Sequence, residues 1–273
     1  MIPPTSIDGT DITGATIDGT DVQEITVDGD VVFTAGPSFT LPVAYSNLVG
    51  WYPFDAATYG GSNADDVTAI IGGSGDDTAY NGSVSGATYQ SSGGVTDINA
   101  GANSGAFDFD GLNDEFEVNN FDNSVWSSGF SFMGWFNLDT VSRYPLTMVD
   151  SGGDFSLILG FPSSGEYQIF FSRSDNSNIF MTLSNTQNTG IYIHMAATWD
   201  SATSSLKTYE NGNLRSTNTT AGSWQGTNQN QNMVLGHDQD ENRFADVTID
   251  DVRSYNTALS ASQISQIYNN TKP

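Results

Sequence analysis

The sequence predicts an all-β fold, an antiparallel two-sheet sandwich preceded by a short repetitive segment. Three observations predict it. Apolar residues alternate with small or polar ones over strand-length windows, the intervals between windows are rich in Gly, Ser, Asn and Asp, and Asn211-Gly212 separates two windows as a two-residue hairpin signal.

The first element is the repeat itself. Ile7-Asp8-Gly9-Thr10-Asp11-Ile12, Ile17-Asp18-Gly19-Thr20-Asp21-Val22 and Val27-Asp28-Gly29-Asp30-Val31-Val32 follow one another at offsets of ten residues. β-Branched residues flank Asp-Gly, a dipeptide that tolerates positive φ, so each copy specifies one small strand-turn-strand unit. Roughly thirty residues bury too little apolar surface to offset their ordering entropy, so stability must come from pairing with other chains. The segment predicts attachment to an assembly and a symmetric homo-oligomer in which strands from several copies complete one another's sheets. Ala35-Gly36-Pro37-Ser38 is the hinge that follows. The organisation predicted is an adaptor over residues 1–36, a linker over 37–44 and one β domain over 45–273.

Within the domain the period-two windows are Phe107/Phe109, Phe116/Val118, Phe130/Phe132/Phe136/Leu138, Phe155/Leu157/Leu159/Phe161, Tyr167/Ile169/Phe171 and Ile191/Ile193/Met195/Ala197/Trp199. No second linker interrupts them, which favours one sandwich over two domains. Near the end, Ser260-Ala261-Ser262-Gln263 has the form of a capping box, with Leu259 and Ile264 at staple positions. Ile264, Ile267 and Tyr268 then follow at helical spacing, predicting a short helix that closes against a sheet.

Composition bounds the function. There are 32 acidic and 7 basic residues, a net charge of −25, and yet 37% hydrophobic and 12% aromatic content. That apolar fraction builds a core, unlike that of an acidic disordered chain. An Asp-dominated acidic skin is the surface of a salt-adapted protein, because at about 1 M salt the Debye length of about 3 Å screens self-repulsion; an ordinary acidic extracellular protein is the alternative. Five scattered arginines, Arg143, Arg173, Arg215, Arg243 and Arg253, argue against nucleic acid. No apolar run approaches the roughly 20 residues of a membrane span, so no membrane insertion is expected. The first residues carry no secretory pattern, which predicts synthesis in the cytoplasm. Without Cys there is neither a disulfide nor a thiolate metal site.

Five stretches in order resemble the laminin-G-like, concanavalin A-like jelly-roll family over about residues 45–270. They are Leu48-Val49-Gly50-Trp51-Tyr52-Pro53-Phe54-Asp55, Gly105 through Val118, Phe130 through Leu138, Ile193 through Asp200 with Leu206 through Gly212, and Ile249 through Ile264. The last, with Ile249-Asp250-Asp251-Val252-Arg253-Ser254-Tyr255, is the most specific. The resemblance implies an antiparallel jelly roll and recognition of carbohydrate or protein more than catalysis. The repeat from Thr16 to Phe33 resembles short segments of virion proteins of tailed viruses that infect halophilic archaea. Together these imply a structural and adhesive virion protein of tail-fibre, spike, turret or capsid-decoration type. It would dock on other virion proteins through residues 1–36 and present the jelly roll to a host surface glycan or glycoprotein. The alternative is a cell-surface carbohydrate-binding module, and a glycan-active enzyme comes third.

Site residues follow from the same resemblance. The family often carries a structural calcium where its first strand, an Asp/Asn-Gly loop and its last strand meet, which maps onto Asp55, Asp77, Asn81, Asp250 and Asp251. An acidic surface with no metal is the other reading. The loop His237-Asp238-Gln239-Asp240-Glu241-Asn242 begins like a calcium loop but has Arg243 where the turn glycine belongs, so it reads as an exposed loop. His194, on an alternating strand, reads as a satisfied structural histidine. No catalytic motif is present: no Gly-x-Ser-x-Gly elbow, zincin helix or phosphate loop, and no carboxylate pair can be singled out among so many acids. Sugar binding uses exposed aromatics with amides beside them, which selects Trp224, Gln225, Trp126 and Tyr144. Rings that cover core edges are the competing reading of each.

Overall fold

The computed structural model describes residues 6–7, 10–11, 16–17, 20–21, 24–27, 30–34, 43–54, 63–64, 80–96, 105–121, 123–140, 145–150, 155–163, 166–184, 189–225, 231–238 and 243–273. The chain divides into two units, Met1–Thr40 and Leu41–Pro273.

In the first unit each repeat forms a hairpin. β1 (Ser6–Ile7) pairs β2 (Thr10–Asp11), β3 (Thr16–Ile17) pairs β4 (Thr20–Asp21), and β5 (Glu24–Val27) pairs β6 (Asp30–Thr34). Ile7 opposes Thr10, Ile17 opposes Thr20 and Val27 opposes Asp30, so each pairing brackets an Asp-Gly dipeptide in the sequence. Among the described residues each hairpin is a separate two-stranded sheet.

The second unit is an antiparallel sandwich. Its strands are β7 (Leu48–Tyr52), β8 (Asn63–Ala64), β9 (Gly82–Ser85), β10 (Thr88–Gln90), β11 (Ala106–Asp110), β12 (Glu115–Phe121) and β13 (Gly129–Leu138). Then come β14 (Leu146–Asp150), β15 (Phe155–Ser163), β16 (Glu166–Ser172), β17 (Asn178–Ser184), β18 (Tyr192–Asp200) and β19 (Ser205–Glu210). The last are β20 (Asn213–Asn218), β21 (Gln231–Leu235), β22 (His237–Asp238), β23 (Arg243–Phe244) and β24 (Asp246–Tyr255), followed by helix α1 (Ala261–Thr271). One sheet runs β10-β11-β24-β13-β18-β19-β20, with β7 also on β24. The other runs β17-β16-β15-β14-β21-β12-β9-β8.

The period-two windows turn their apolar members inward. Phe107, Phe109, Phe116, Val118, Phe130, Phe132, Phe136, Leu157, Leu159, Tyr167, Ile169, Phe171, Met195 and Trp199 share one core between the sheets. Ile191 departs from the expected alternation, because it precedes β18 and is 52% exposed. Close approach sets one glycine: a Cβ at Gly82 would stand 2.0 Å from the Phe116 ring. Between β19 and β20, Asn211 and Gly212 take φ of 48° and 73°, the two left-handed residues of a type I′ turn, with Glu210 opposite Asn213.

Helix α1 opens with the capping box read in the sequence. Ser260 N–H donates to Gln263 Oε1 at 2.9 Å, and Gln263 N–H donates to Ser260 Oγ at 3.3 Å. Its apolar face, Ile264 and Ile267, joins Met133, Ala196, Tyr209, Tyr255 and Leu259 in a second core on the other face of the first sheet. Trp135 Nε1 donates to Thr271 Oγ1 at 2.8 Å, and the Tyr268 ring stacks on Trp135 at 5.5 Å. The helix therefore covers that face, while the outer face of the second sheet keeps its own surface residues.

Candidate functional site

The β16–β17 hairpin is where aromatic and polar side chains meet on a surface. On β16, Tyr167, Ile169 and Phe171 enter the core, so Glu166, Gln168, Phe170 and Ser172 face the other way. On β17, Met181 and Leu183 enter the core, so Asn178, Phe180 and Thr182 face outward. The register sets Phe170 opposite Phe180, Gln168 opposite Thr182 and Ser172 opposite Asn178.

The two Phe rings meet edge to face at 5.4 Å, and Phe180 is 48% exposed. On one flank Glu166 holds the polar groups: its Oε1 accepts Gln168 Nε2 at 2.8 Å and its Oε2 accepts Thr182 Oγ1 at 3.4 Å. On the other flank Ser172 Oγ donates to Gln225 Oε1. The result is an aromatic platform bordered by a carboxylate, two amides and the Thr182 hydroxyl, with the buried Ser172 holding Gln225. Such an arrangement can take a ligand with one apolar face and a polar rim.

Trp224, next to Gln225, is a core ring. The ring is fully buried, its Nε1 donates to Ser156 O at 2.9 Å, it meets Phe130 at 4.9 Å, and its backbone bridges Arg173 next to Ser172. Trp126 is likewise fully buried, 5.1 Å from Phe132 and 6.2 Å from Trp224. The expectation that these two indoles stack on sugar from exposed positions is corrected: both close the end of the core. Tyr144 lies outside the described residues. Of the four sugar-binding residues read in the sequence, Gln225 is the one placed beside the platform.

Elsewhere on the same sheet face, Glu117 Oε1 accepts Asn232 Nδ2 at 3.0 Å, and Glu115 Oε2 stands 2.7 Å from His237 Nε2. His237 begins β22, is 6% exposed and lies 4.9 Å from the Phe244 ring. The exposed loop expected at His237 is not what forms: the fold buries His237 and pairs it with Glu115. Residues 239–242 of that loop are outside the described residues.

The residues mapped to calcium divide. Asp55 and Asp77 lie outside the described residues, and Asn81 sits partly buried before β9. Asp250 is fully buried; its Oδ2 accepts Val95 N–H and its Oδ1 accepts Asp251 N–H, each at 2.7 Å. Asp251 is held by an indole and a guanidinium. Its Oδ1 takes Trp51 Nε1 at 2.6 Å and Arg253 Nε at 2.9 Å, so a guanidinium already supplies its counter-charge. Among the described residues no three His, Asp or Glu side chains form a metal-binding group.

His194 also departs from the sequence reading, because it is structural but not satisfied. It is buried beneath α1, 5.2 Å from the Trp135 ring and 6.2 Å from Tyr268, and neither ring nitrogen has a hydrogen-bond partner. Burial, with Arg253 nearby, pushes its pKa down to about 3, so the ring is neutral.

Residues 109–265, more than half of the chain, match the family model of the concanavalin A-like lectin/glucanases superfamily. Domain 4 of AbnA, an extracellular arabinanase of Geobacillus stearothermophilus, in complex with arabinotriose, is similar at 18% identity and a TM-score of 0.58, covering 81% of this chain and 98% of that one. The receptor-binding domain of a botulinum neurotoxin mosaic serotype C/D is similar at 15% identity and a TM-score of 0.56, over 82% of this chain and 51% of that one. A Trypanosoma rangeli sialidase is similar at 15% identity and a TM-score of 0.59, over 83% of this chain and 33% of that one. This chain thus spans about half the length of the neurotoxin domain and a third of the sialidase. At these identities the likenesses show the fold. No curated protein sequence matches the chain.

Proposed function

We propose, for a chain that belongs to the concanavalin A-like lectin/glucanases superfamily, that it is a carbohydrate-recognition protein whose jelly roll binds glycan on the β16–β17 platform. The observation that carries this reading is the half-exposed Phe180 paired with Phe170 and framed by Glu166, Gln168, Thr182 and Gln225. Such a surface suits a ligand with one apolar face and a hydroxylated rim. The likeness to an arabinanase domain holding arabinotriose supports a sugar over a peptide.

The proposal extends to setting. Among the described residues the three tandem hairpins form separate two-stranded sheets, which are marginal alone, and this supports their use as a docking and oligomerisation segment. We read the protein as an adhesive virion component of a salt-adapted tailed virus, made in the host cytoplasm and anchored by residues 1–36 to other virion proteins. Its jelly roll then meets a host surface glycan, and many weak contacts on one particle add up to avidity. A structural calcium at Asp55, Asp77, Asn81, Asp250 and Asp251 belongs to the same proposal; a melting temperature raised by calcium and lowered again by EDTA tests it.

A glycan panel applied to the full chain tests the binding. Retention of at least one glycan family is expected, and retention of none removes the reading. Release of reducing sugar from a bound glycan would replace recognition by hydrolysis. Deleting residues 1–40 is expected to leave the jelly roll folded and to abolish incorporation into particles; a truncated chain that still incorporates overturns the anchoring role.

A further inference from the structure

The imidazole of His194 is fully buried on the sheet face that α1 covers, and neither ring nitrogen has a hydrogen-bond partner. Its backbone is fixed to the β19–β20 turn: His194 N–H donates to Asn211 Oδ1 at 3.0 Å, and its carbonyl accepts Asn211 N–H at 2.8 Å. Trp135 lies opposite on β13, with its ring at 5.2 Å. Tyr268 of α1 closes the remaining side at 6.2 Å, and a Cβ at Gly212 in the same turn would stand 3.0 Å from the Tyr268 ring. Strand and turn therefore hold the ring in place, and the helix stands between it and water.

The charged groups around this site do not welcome a proton. On β24, Arg253 acts on the ring with a like charge while holding Asp251, and Asp250 accepts the N–H groups of Val95 and Asp251. On β19, Glu210 is engaged by Arg215, and on β18 the Tyr192 hydroxyl donates to Gly93 O at 2.6 Å. On α1, Lys272 Nζ lies 6.0 Å over the Tyr268 ring. Tyr209 and Tyr255 pack with the apolar face of the helix. An imidazolium is thus stable only where it reaches water.

The helix is also the wall that can move by itself. Ile264 and Ile267, the Tyr268 stack and the Trp135–Thr271 hydrogen bond hold it to the sheet, and Thr96 ties its end through N–H to Thr271 O at 3.1 Å and Oγ1 to Lys272 O at 2.9 Å. β13, by contrast, is laddered on both sides, to β18 and to β24. An element held mainly by side chains opens at lower free energy than a strand paired on both edges. Independently of the carbohydrate reading, we propose that α1 is an acid-releasable strap: protonation of His194 lifts the helix from the first sheet while the sandwich stays folded, and uncovers Met133, Trp135 and Tyr255.

The sign and size follow from linkage. Once α1 lifts, His194 regains its ordinary value of 6.5 from about 3, so the opening constant rises about twentyfold between pH 7 and pH 5 and is nearly constant above pH 7. Hydrogen exchange of the full chain at pH 7 and pH 5, corrected for intrinsic rates, tests this. In the parent protein α1 amides are expected to be less protected than those of β13 at both pH values, and α1 protection to fall about twentyfold at pH 5. In His194→Gln that fall is expected to shrink to about threefold or less. Ser260→Ala removes the N-cap hydroxyl without touching the ring; it is expected to speed α1 exchange about fivefold at both pH values and to keep the pH dependence, which separates helix stability from the proton. Equal protection of α1 and β13 would mean that the helix leaves only when the whole domain unfolds, and overturns the proposal. So does α1 protection that is unchanged between pH 7 and pH 5 in the parent, or a fall of full size in His194→Gln.

Discussion

Arg253 and Asp251, two positions apart on β24, close on each other in the buried face of the first sheet: Nε and Nη2 of Arg253 each stand 2.9 Å from Asp251 Oδ1. The pair sits beside a register shift between β13 and β24, with Asp251 at φ 47°, and the guanidinium lies 4.6 Å over the Trp51 ring. Trp51 Nε1 donates to the same oxygen at 2.6 Å. Asp251 thus ties β7 to β24.

Arg253→Met is expected to cost about 3–5 kcal/mol, because it strands a buried carboxylate. The double change Arg253→Met with Asp251→Asn is expected to recover much of that loss. Urea unfolding of the parent protein and the two variants measures both. Equal losses in the single and double variants would mean the pair is not the unit of stability.

His194 predicts a pH dependence of definite sign. Its folded pKa of about 3 lies below the ordinary histidine value of 6.5, so the unfolded chain binds the extra proton between them. Its contribution to stability is constant above about pH 6.5 and falls by about 1.4 kcal/mol per unit as pH drops toward 3. Asp114, whose pKa is raised mainly by burial, acts in the opposite sense over the acid range: it favours the fold below its unfolded value and loses that contribution as pH rises. His194→Gln isolates the histidine term and is expected to flatten the slope between pH 6 and 4, read from melting temperature against pH.

Trp224→Leu is expected to destabilise the domain by about 3–5 kcal/mol through the cavity it leaves. Phe180→Ala, on the surface, is expected to cost about 1 kcal/mol or less. Chemical denaturation of both variants distinguishes core ring from surface platform.

Gly82→Ala drives a methyl group into the Phe116 ring, which itself packs between Tyr52 at 5.2 Å and Phe54 at 5.4 Å. Overpacking there is expected to cost about 1–3 kcal/mol, read from the urea midpoint.

The fold was largely legible in the sequence because its signals are local. Strand alternation, the Asn211-Gly212 turn and the Ser260–Gln263 capping box each depend on near neighbours, and each appears where the residues place it. The surface platform was less legible. Polar surroundings selected Trp224 and Trp126, yet a large ring in a polar stretch is often the plug at the end of a core, and burial depends on contacts with distant residues such as Ser156 and Phe130. The usable signal lay in Glu166-Tyr167-Gln168-Ile169-Phe170-Phe171: with Tyr167, Ile169 and Phe171 inward, Phe170 is an aromatic residue out of phase. Its partner Phe180 comes from the next strand through a register no local pattern supplies. The Glu115–His237 and Asp251–Arg253–Trp51 contacts join separate elements in the same way.

The central claim is that Phe180 and its neighbours bind glycan, and titration calorimetry of the full chain and Phe180→Ala against a neutral oligosaccharide retained by the glycan panel tests it most directly. The account predicts a loss of about tenfold or more in affinity, equivalent to about 1.4 kcal/mol, with a nearly unchanged melting temperature. Equal affinity in the two proteins would contradict it and place recognition elsewhere on the sandwich.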